Sequence, residues 1–163
     1  MERVFHPFEP VYDKNSRVLI LGTMASVASR KAGFYYMHPQ NRFFPALAAV
    51  FAEPVPQTAP ERRAFALKHG VALWDVVASC EIAGSADSSI KNPVPNDIPS
   101  LLKRTGISRV LTTGRTAASL YTRLVLPDTG VPCLVLPSPS PANCAVHFDA
   151  LVSAYREQLT PLL

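Results

Sequence analysis

The stretch RVLILG, Arg17–Gly22, decides the fold. Its four central aliphatic residues leave no polar face, so the segment reads as a strand covered on both sides, the pattern of a parallel sheet. Three more segments read the same way: one strand within VALWDVVASC (Val71–Cys80), SRVLTTG (Ser108–Gly114) and VPCLVLP (Val131–Pro137). Between and after them lie helical patterns. PALAAVFA (Pro45–Ala52) is apolar, and TAPERRAFALKHG (Thr58–Gly70) has a polar start, an early proline and a closing glycine. IPSLLKRTG (Ile98–Gly106), RTAASLYTRLV (Arg115–Val125) and CAVHFDALVSAYREQL (Cys144–Leu159) complete the set. The order β-α-α-β-α-β-α-β-α predicts a three-layer α/β/α sandwich on a central four-stranded parallel sheet. In such folds the ligand sits at the carboxyl ends of the strands.

The chain has 163 residues and is 48% hydrophobic, enough to bury a core, and a single domain over residues 1–163 is expected. No apolar run reaches the about 18 residues needed to cross a bilayer. MERVFHPFEP carries charges and prolines with no apolar stretch, so a signal peptide and a membrane partner are not expected, and a cytoplasmic monomer is. A net charge of +4 permits a polyanionic partner without requiring one. Cys80, Cys133 and Cys144 are widely spaced, which argues against a metal site or a disulfide framework and predicts three small buried residues. No metal or other cofactor is expected.

Seven of the sixteen prolines cluster in HPQN, NPVPNDIP (Asn92–Pro99) and LPSPSPAN (Leu136–Asn143). Proline fixes φ and removes a donor, so these segments read as stiff loops. ILGTMAS (Ile20–Ser26) is neither a GxGxxG fingerprint nor a phosphate loop, but its backbone amides can still bind a small polar group. GFYYMHPQNRFF (Gly33–Phe44) brings aromatic faces and hydrogen-bonding groups to the same edge of the sheet. Tyr35 and Tyr36 suit stacking on a heterocyclic base, though one of them suits the core equally. His38 is a candidate acid or base, or a ring tied to a loop carbonyl. Asn41 can orient a water or read a base edge, or cap the following helix. LPSPSPAN holds two serines and an asparagine ahead of a helix, as a clamp on a nucleic-acid backbone would. GxSxG, HExxH and paired Cys/His sets are absent, which disfavours covalent serine or metal hydrolysis.

Taken together, ILGTMAS, GFYYMHPQNRFF, ALWDVVASCEIAGSADSSIKNPVPND and LPSPSPAN resemble the uracil-DNA glycosylase superfamily, and its hypoxanthine (deoxyinosine) branch most. The likeness runs from about Val18 to Asn143. It implies a monofunctional enzyme that flips a deaminated base out of DNA and hydrolyses its glycosidic bond in base excision repair. It further implies that Asn41 orients water with His38 in support, and that Gly22, Thr23, Met24, Tyr36 and Phe43 form the base pocket. Ser138, Pro139, Ser140, Pro141, Ala142 and Asn143 would meet DNA, with Arg30, Lys31 and Lys91 as further contacts. The sequence departs from its relatives at four places. Met24 stands where other branches carry asparagine or aspartate, Ala25 replaces a proline, Phe44 a tryptophan, and Ala142 a wedge leucine. Two alternatives therefore stay open: a uracil- or mismatch-specific glycosylase, and a catalytically weak DNA- or nucleotide-binding module.

Overall fold

The computed structural model describes residues 2–163. Four strands, β2 (Val18–Gly22), β3 (Val71–Asp75), β6 (Arg109–Thr113) and β7 (Cys133–Leu136), form a fully parallel sheet in the order β3-β2-β6-β7. All five residues of β2 and of β3 are buried, as the unbroken apolar runs require. Three helices follow β2: α1 (Val27–Ala32), α2 (Phe43–Phe51) and α3 (Ala59–Lys68). The chain then steps outward to β3. It crosses back through α4 (Ile98–Lys103) to β6, and continues through α5 (Arg115–Leu124) and α6 (Leu126–Thr129) to β7. Right-handed crossovers in opposite directions put α1–α3 on one face and α4–α6 on the other. The last helix, α7 (Phe148–Leu159), returns to pack on α2, which completes the three layers. The strand order reverses between β2 and β6, which opens a crevice at their carboxyl ends.

A second sheet departs from the expectation. VALWDVVASC yields two strands, because the chain turns at Val76 and continues as β4 (Val77–Glu81). Strand β4 pairs antiparallel with β1 (Arg3–Phe5) on one side and β5 (Lys91–Pro95) on the other. The proline-rich NPVPNDIP is therefore partly strand. Proline is tolerated there because β5 is an edge, and its pairing with β4 is interrupted by register shifts. Asn96 ties the junction by donating its side-chain amide to the carbonyls of Asp75 (2.9 Å) and Val77 (3.3 Å).

Two further expectations change. Helix α1 stands between β2 and the GFYYMHPQN block; Ser26 caps its start, and Gly33 closes it in the left-handed conformation. The helix after LPSPSPAN begins only at Phe148, so the proline loop does not sit on its amino terminus. Of the three cysteines, only Cys80 is fully buried, while Cys133 is half-buried and Cys144 exposed. No helix among the described residues is long and apolar enough to cross a membrane.

Candidate active site

A cleft of about 1090 Å³ opens at the carboxyl ends of β2, β3, β6 and β7. Gly22, Thr23 and Met24 line its floor, as expected for the turn that leaves β2. A Cβ added at Gly22 would run into Asp75 Oδ1, so the glycine exists to let the β3 carboxyl approach. The amides of Thr23, Met24 and Ala25 make no hydrogen bond among the described residues, which leaves them free to meet a ligand. The Thr23 hydroxyl is buried without a partner. Met24 is 8% exposed and packs with the core, so it contributes a wall and no water-handling group.

The two adjacent tyrosines part company. Tyr35 is core, 2% exposed, with its hydroxyl donating to Glu9 O at 2.9 Å. Tyr36 lines the cleft with φ +56°, a left-handed conformation that bulky residues rarely adopt. That backbone choice turns its ring inward, and its hydroxyl reaches Thr113 Oγ1 at 3.5 Å. Burial pushes both phenols well above their ordinary range, and the Asp75 carboxylate pushes them further. Phe43 departs from its expected place. It is fully buried behind Tyr36, with ring centroids 3.9 Å apart and planes at 16°, and it does not line the cleft. It buttresses Tyr36, leaving the tyrosine only its opposite face for a ligand.

His38 and Asn41 both line the cleft. His38 Nδ1 accepts from the Gln40 amide at 3.1 Å, so the ring proton lies on Nε2. Asn41 Oδ1 accepts from the Phe43 amide at 2.9 Å at the start of α2. The N-cap position itself falls to Arg42, whose side chain makes no cap bond; Asn41, one residue earlier, receives the first helical amide, and its side-chain NH₂ is the group left for chemistry.

Across the cleft, Ser138 to Asn143 all line the opening. Ser138 Oγ accepts from the Ser140 backbone amide, Ser140 Oγ from the Ala142 backbone amide, and the Asn143 side-chain Nδ2 donates to Ser138 O at 3.0 Å. Each hydroxyl keeps its own proton to donate outward. Arg42, unremarked in the sequence, pins this loop to the start of α2. Its guanidinium donates to Val146 O (2.5 Å) and Asn143 O (3.0 Å), and its own amide donates to Pro139 O.

The expected basic contacts are not gathered here. Arg30 donates to Ala25 O and Gly84 O and so braces the first loop, while Lys31 and Lys91 are exposed and do not line the cleft. Arg115, at the start of α5, is the cation on the rim.

Sequence reasoning missed three groups. Asp75 ends β3, 4% exposed, with its carboxyl in the cleft. His6, just past β1, places Nε2 2.6 Å from Asp75 Oδ2 and Nδ1 2.9 Å from Phe8 O. Asp87 lines the same cleft from the loop between β4 and β5. Burial raises its carboxyl above the ordinary range and Asp75 adds to this; the nearby Thr23 hydroxyl eases it without reaching hydrogen-bonding geometry. One sequence signal existed: Asp75 is the single charge within VALWDVV.

The sequence pattern of the Uracil DNA glycosylase superfamily matches residues 9–160. The chain belongs to that superfamily. Among relatives, a "Hypoxanthine DNA glycosylase" of Methanosarcina acetivorans is 34% identical over 137 residues, covering 83% of this chain and 86% of the relative. One of the same name from Methanosarcina barkeri is 35% identical over 97 residues, 59% of this chain and 61% of its own. A solution NMR structure of a Methanosarcina acetivorans protein, provisionally named a uracil DNA glycosylase, superimposes with a TM-score of 0.77. It is 27% identical and covers 93% of this chain and 96% of its own. The likeness to that solved structure extends over the parallel sheet and the helices that flank it.

Proposed function

We propose that this superfamily member is a monofunctional glycosylase that excises hypoxanthine from deoxyinosine in DNA. The observation that carries the reading is the recess at the β2/β6 crevice: Tyr36 on one wall, free amides and acidic oxygens below, and the Ser/Pro loop opposite. The relatives' names point the same way. A flipped base enters the recess and presents one face to Tyr36, while Ser138, Ser140 and Asn143 hold the DNA backbone outside it.

The chemistry breaks the bond between the base nitrogen and the sugar C1′. The bonding electrons leave with the base, and the sugar gains oxocarbenium character. Water adds to C1′ and loses a proton, giving a free base and an abasic site. The chain's part is to orient that water and to solvate the departing base. The Asn41 NH₂ is our assignment for water placement, with His38 as the second polar group on that wall. The free amides of the first loop face the negative charge that develops on the base.

Duplexes carrying one deoxyinosine or one deoxyuridine, incubated with the protein and then treated with alkali, test this directly. Strand scission at deoxyinosine is the expected result. Scission at deoxyuridine alone transfers the protein to the uracil-specific reading. Binding without scission at either makes it a binding module.

A further inference from the structure

Most features of the molecule are absorbed by the fold or by the cleft already described. The His6–Asp75 pair is not. A histidine from the amino-terminal segment, outside residues 9–160 that match the superfamily pattern, reaches 69 positions along the chain to grip a carboxylate in the base recess. Both side chains are almost completely buried, 3% and 5% exposed. The other carboxylate oxygen, Oδ1, lies over Gly22 and makes no hydrogen bond among the described residues. Beside it, the Thr23 hydroxyl, on a residue 5% exposed, lines the same recess without a partner. A buried hydroxyl without a partner and a carboxylate oxygen open to the same recess call for a ligand that supplies their hydrogen bonds.

The proton arrangement fixes what that ligand has to be. His6 Nδ1 faces the Phe8 carbonyl, which can only accept, so Nδ1 carries a hydrogen. His6 Nε2 and Asp75 Oδ2, 2.6 Å apart, then share a single proton between them. Whichever of the two atoms holds it, Oδ1 has none and is an acceptor. A buried carboxyl without such a partner would be free to take up a proton on Oδ1 and become a donor. His6 removes that freedom.

We propose that His6 holds Asp75 Oδ1 as a permanent acceptor for the ring N–H of the flipped base, so that the recess takes bases with a lactam N–H and refuses adenine and cytosine, whose matching ring nitrogen only accepts. Hydrolytic deamination produces this difference. It turns the adenine ring nitrogen N1 from an acceptor into the N–H of hypoxanthine, and does the same at N3 when cytosine becomes uracil. An acceptor facing an acceptor leaves both buried and unpaired, which is a strong ground for rejection. Guanine and xanthine share the N1–H, so selection between them falls to groups facing the 2-position. Thr23 Oγ1, able to donate, suits the adjacent carbonyl oxygen. The inference rests on the glycosylase reading and names the chemical class its recess selects. Asp75 is the group that touches the base; His6 is a positioning residue.

The test compares duplexes carrying hypoxanthine, 1-methylhypoxanthine or adenine. The wild-type protein is expected to release hypoxanthine and to act about 100-fold or more slowly on the 1-methyl base, which lacks the N–H. Asp75→Leu, of similar size and without an acceptor, is expected to lower hypoxanthine release about 100-fold while duplex binding persists. His6→Phe should lower the hypoxanthine-to-adenine ratio of kcat/KM at least tenfold, by freeing Oδ1 to carry a proton. A purely structural loss would lower both rates and leave the ratio alone. His6→Gln, whose amide still donates to Oδ2, is expected to keep the ratio within about tenfold of wild type. Equal release of hypoxanthine and its 1-methyl form by the wild type overturns the inference and leaves the glycosylase standing. An unchanged ratio in a folded His6→Phe protein overturns it as well. Release of no base at all overturns both. The methylated substrate needs no variant, so a misfolding substitution does not blunt the test.

Discussion

At the scale of single residues, Asn41 does two things with two ends of one amide. Its oxygen receives the Phe43 N–H, and its nitrogen is left facing the cleft. Asn41→Ala removes both and is expected to lower turnover about 100-fold or more. It should also cost about 1 kcal/mol of stability through the lost hydrogen bond from the Phe43 amide. Asn41→Asp separates the two, because a carboxylate caps a helix start well but cannot donate. Its melting temperature should match the wild type while its turnover falls as far as that of the alanine variant. Gly22→Ala probes the neighbouring wall. The added methyl has to displace the Asp75 carboxyl, and a misplacement of about 1 Å at such a site costs on the order of 100-fold in rate. Circular dichroism should show the fold intact, since Gly22 lies outside the left-handed region that would demand glycine.

At the scale of elements, the parallel sheet was legible because each strand is an apolar run ending at a turn, and burial on both faces demands such runs. The small antiparallel sheet was not. Strand β1 spans three residues, too few for a period, and β5 carries prolines that argue against any strand except an edge. Helix α1, VASRKA, is too short and too polar to show an apolar stripe. The cleft residues on loops were readable because aromatic and amide groups interrupt core-like segments. His6 and Asp75 were not, because their contact exists only once β1 has paired with β4. Arg42 belongs to this scale too, as the bolt between α2 and the Ser/Pro loop. Arg42→Ala should raise KM for damaged duplex more than it lowers kcat, since it frees the Ser/Pro loop on the cleft rim. Hydrogen exchange should quicken over residues 138–147 and leave β2 unchanged.

At the scale of the whole molecule, the excess of positive charge is modest and spread out, with Arg115 on the cleft rim. Binding to undamaged duplex should therefore weaken steadily with salt, in proportion to the few phosphates contacted, and a salt-independent affinity would separate the charge from DNA altogether. Stability at high pH follows from the tyrosines. Tyr35, Tyr36, Tyr121 and Tyr155 all have phenols raised by burial. The unfolded chain loses these protons near pH 10, whereas the folded one holds them longer. Stability is thus full below about pH 10 and declines above it. Absorbance at the phenolate band should show these four rings ionising together with unfolding.

The pairing of β1 with β4 carries a practical consequence. The sheet that builds the cleft lies entirely within residues 18–136, yet the partner of its buried carboxylate arrives on a three-residue ribbon near the front of the chain. Trimming the protein back to Glu9, the first residue of the superfamily match, would spare every strand of the main sheet and strip Asp75 of its histidine. An affinity tag belongs at the other end. Anyone comparing members of this superfamily by their shared core alone would miss the part of this protein that reaches in from outside it.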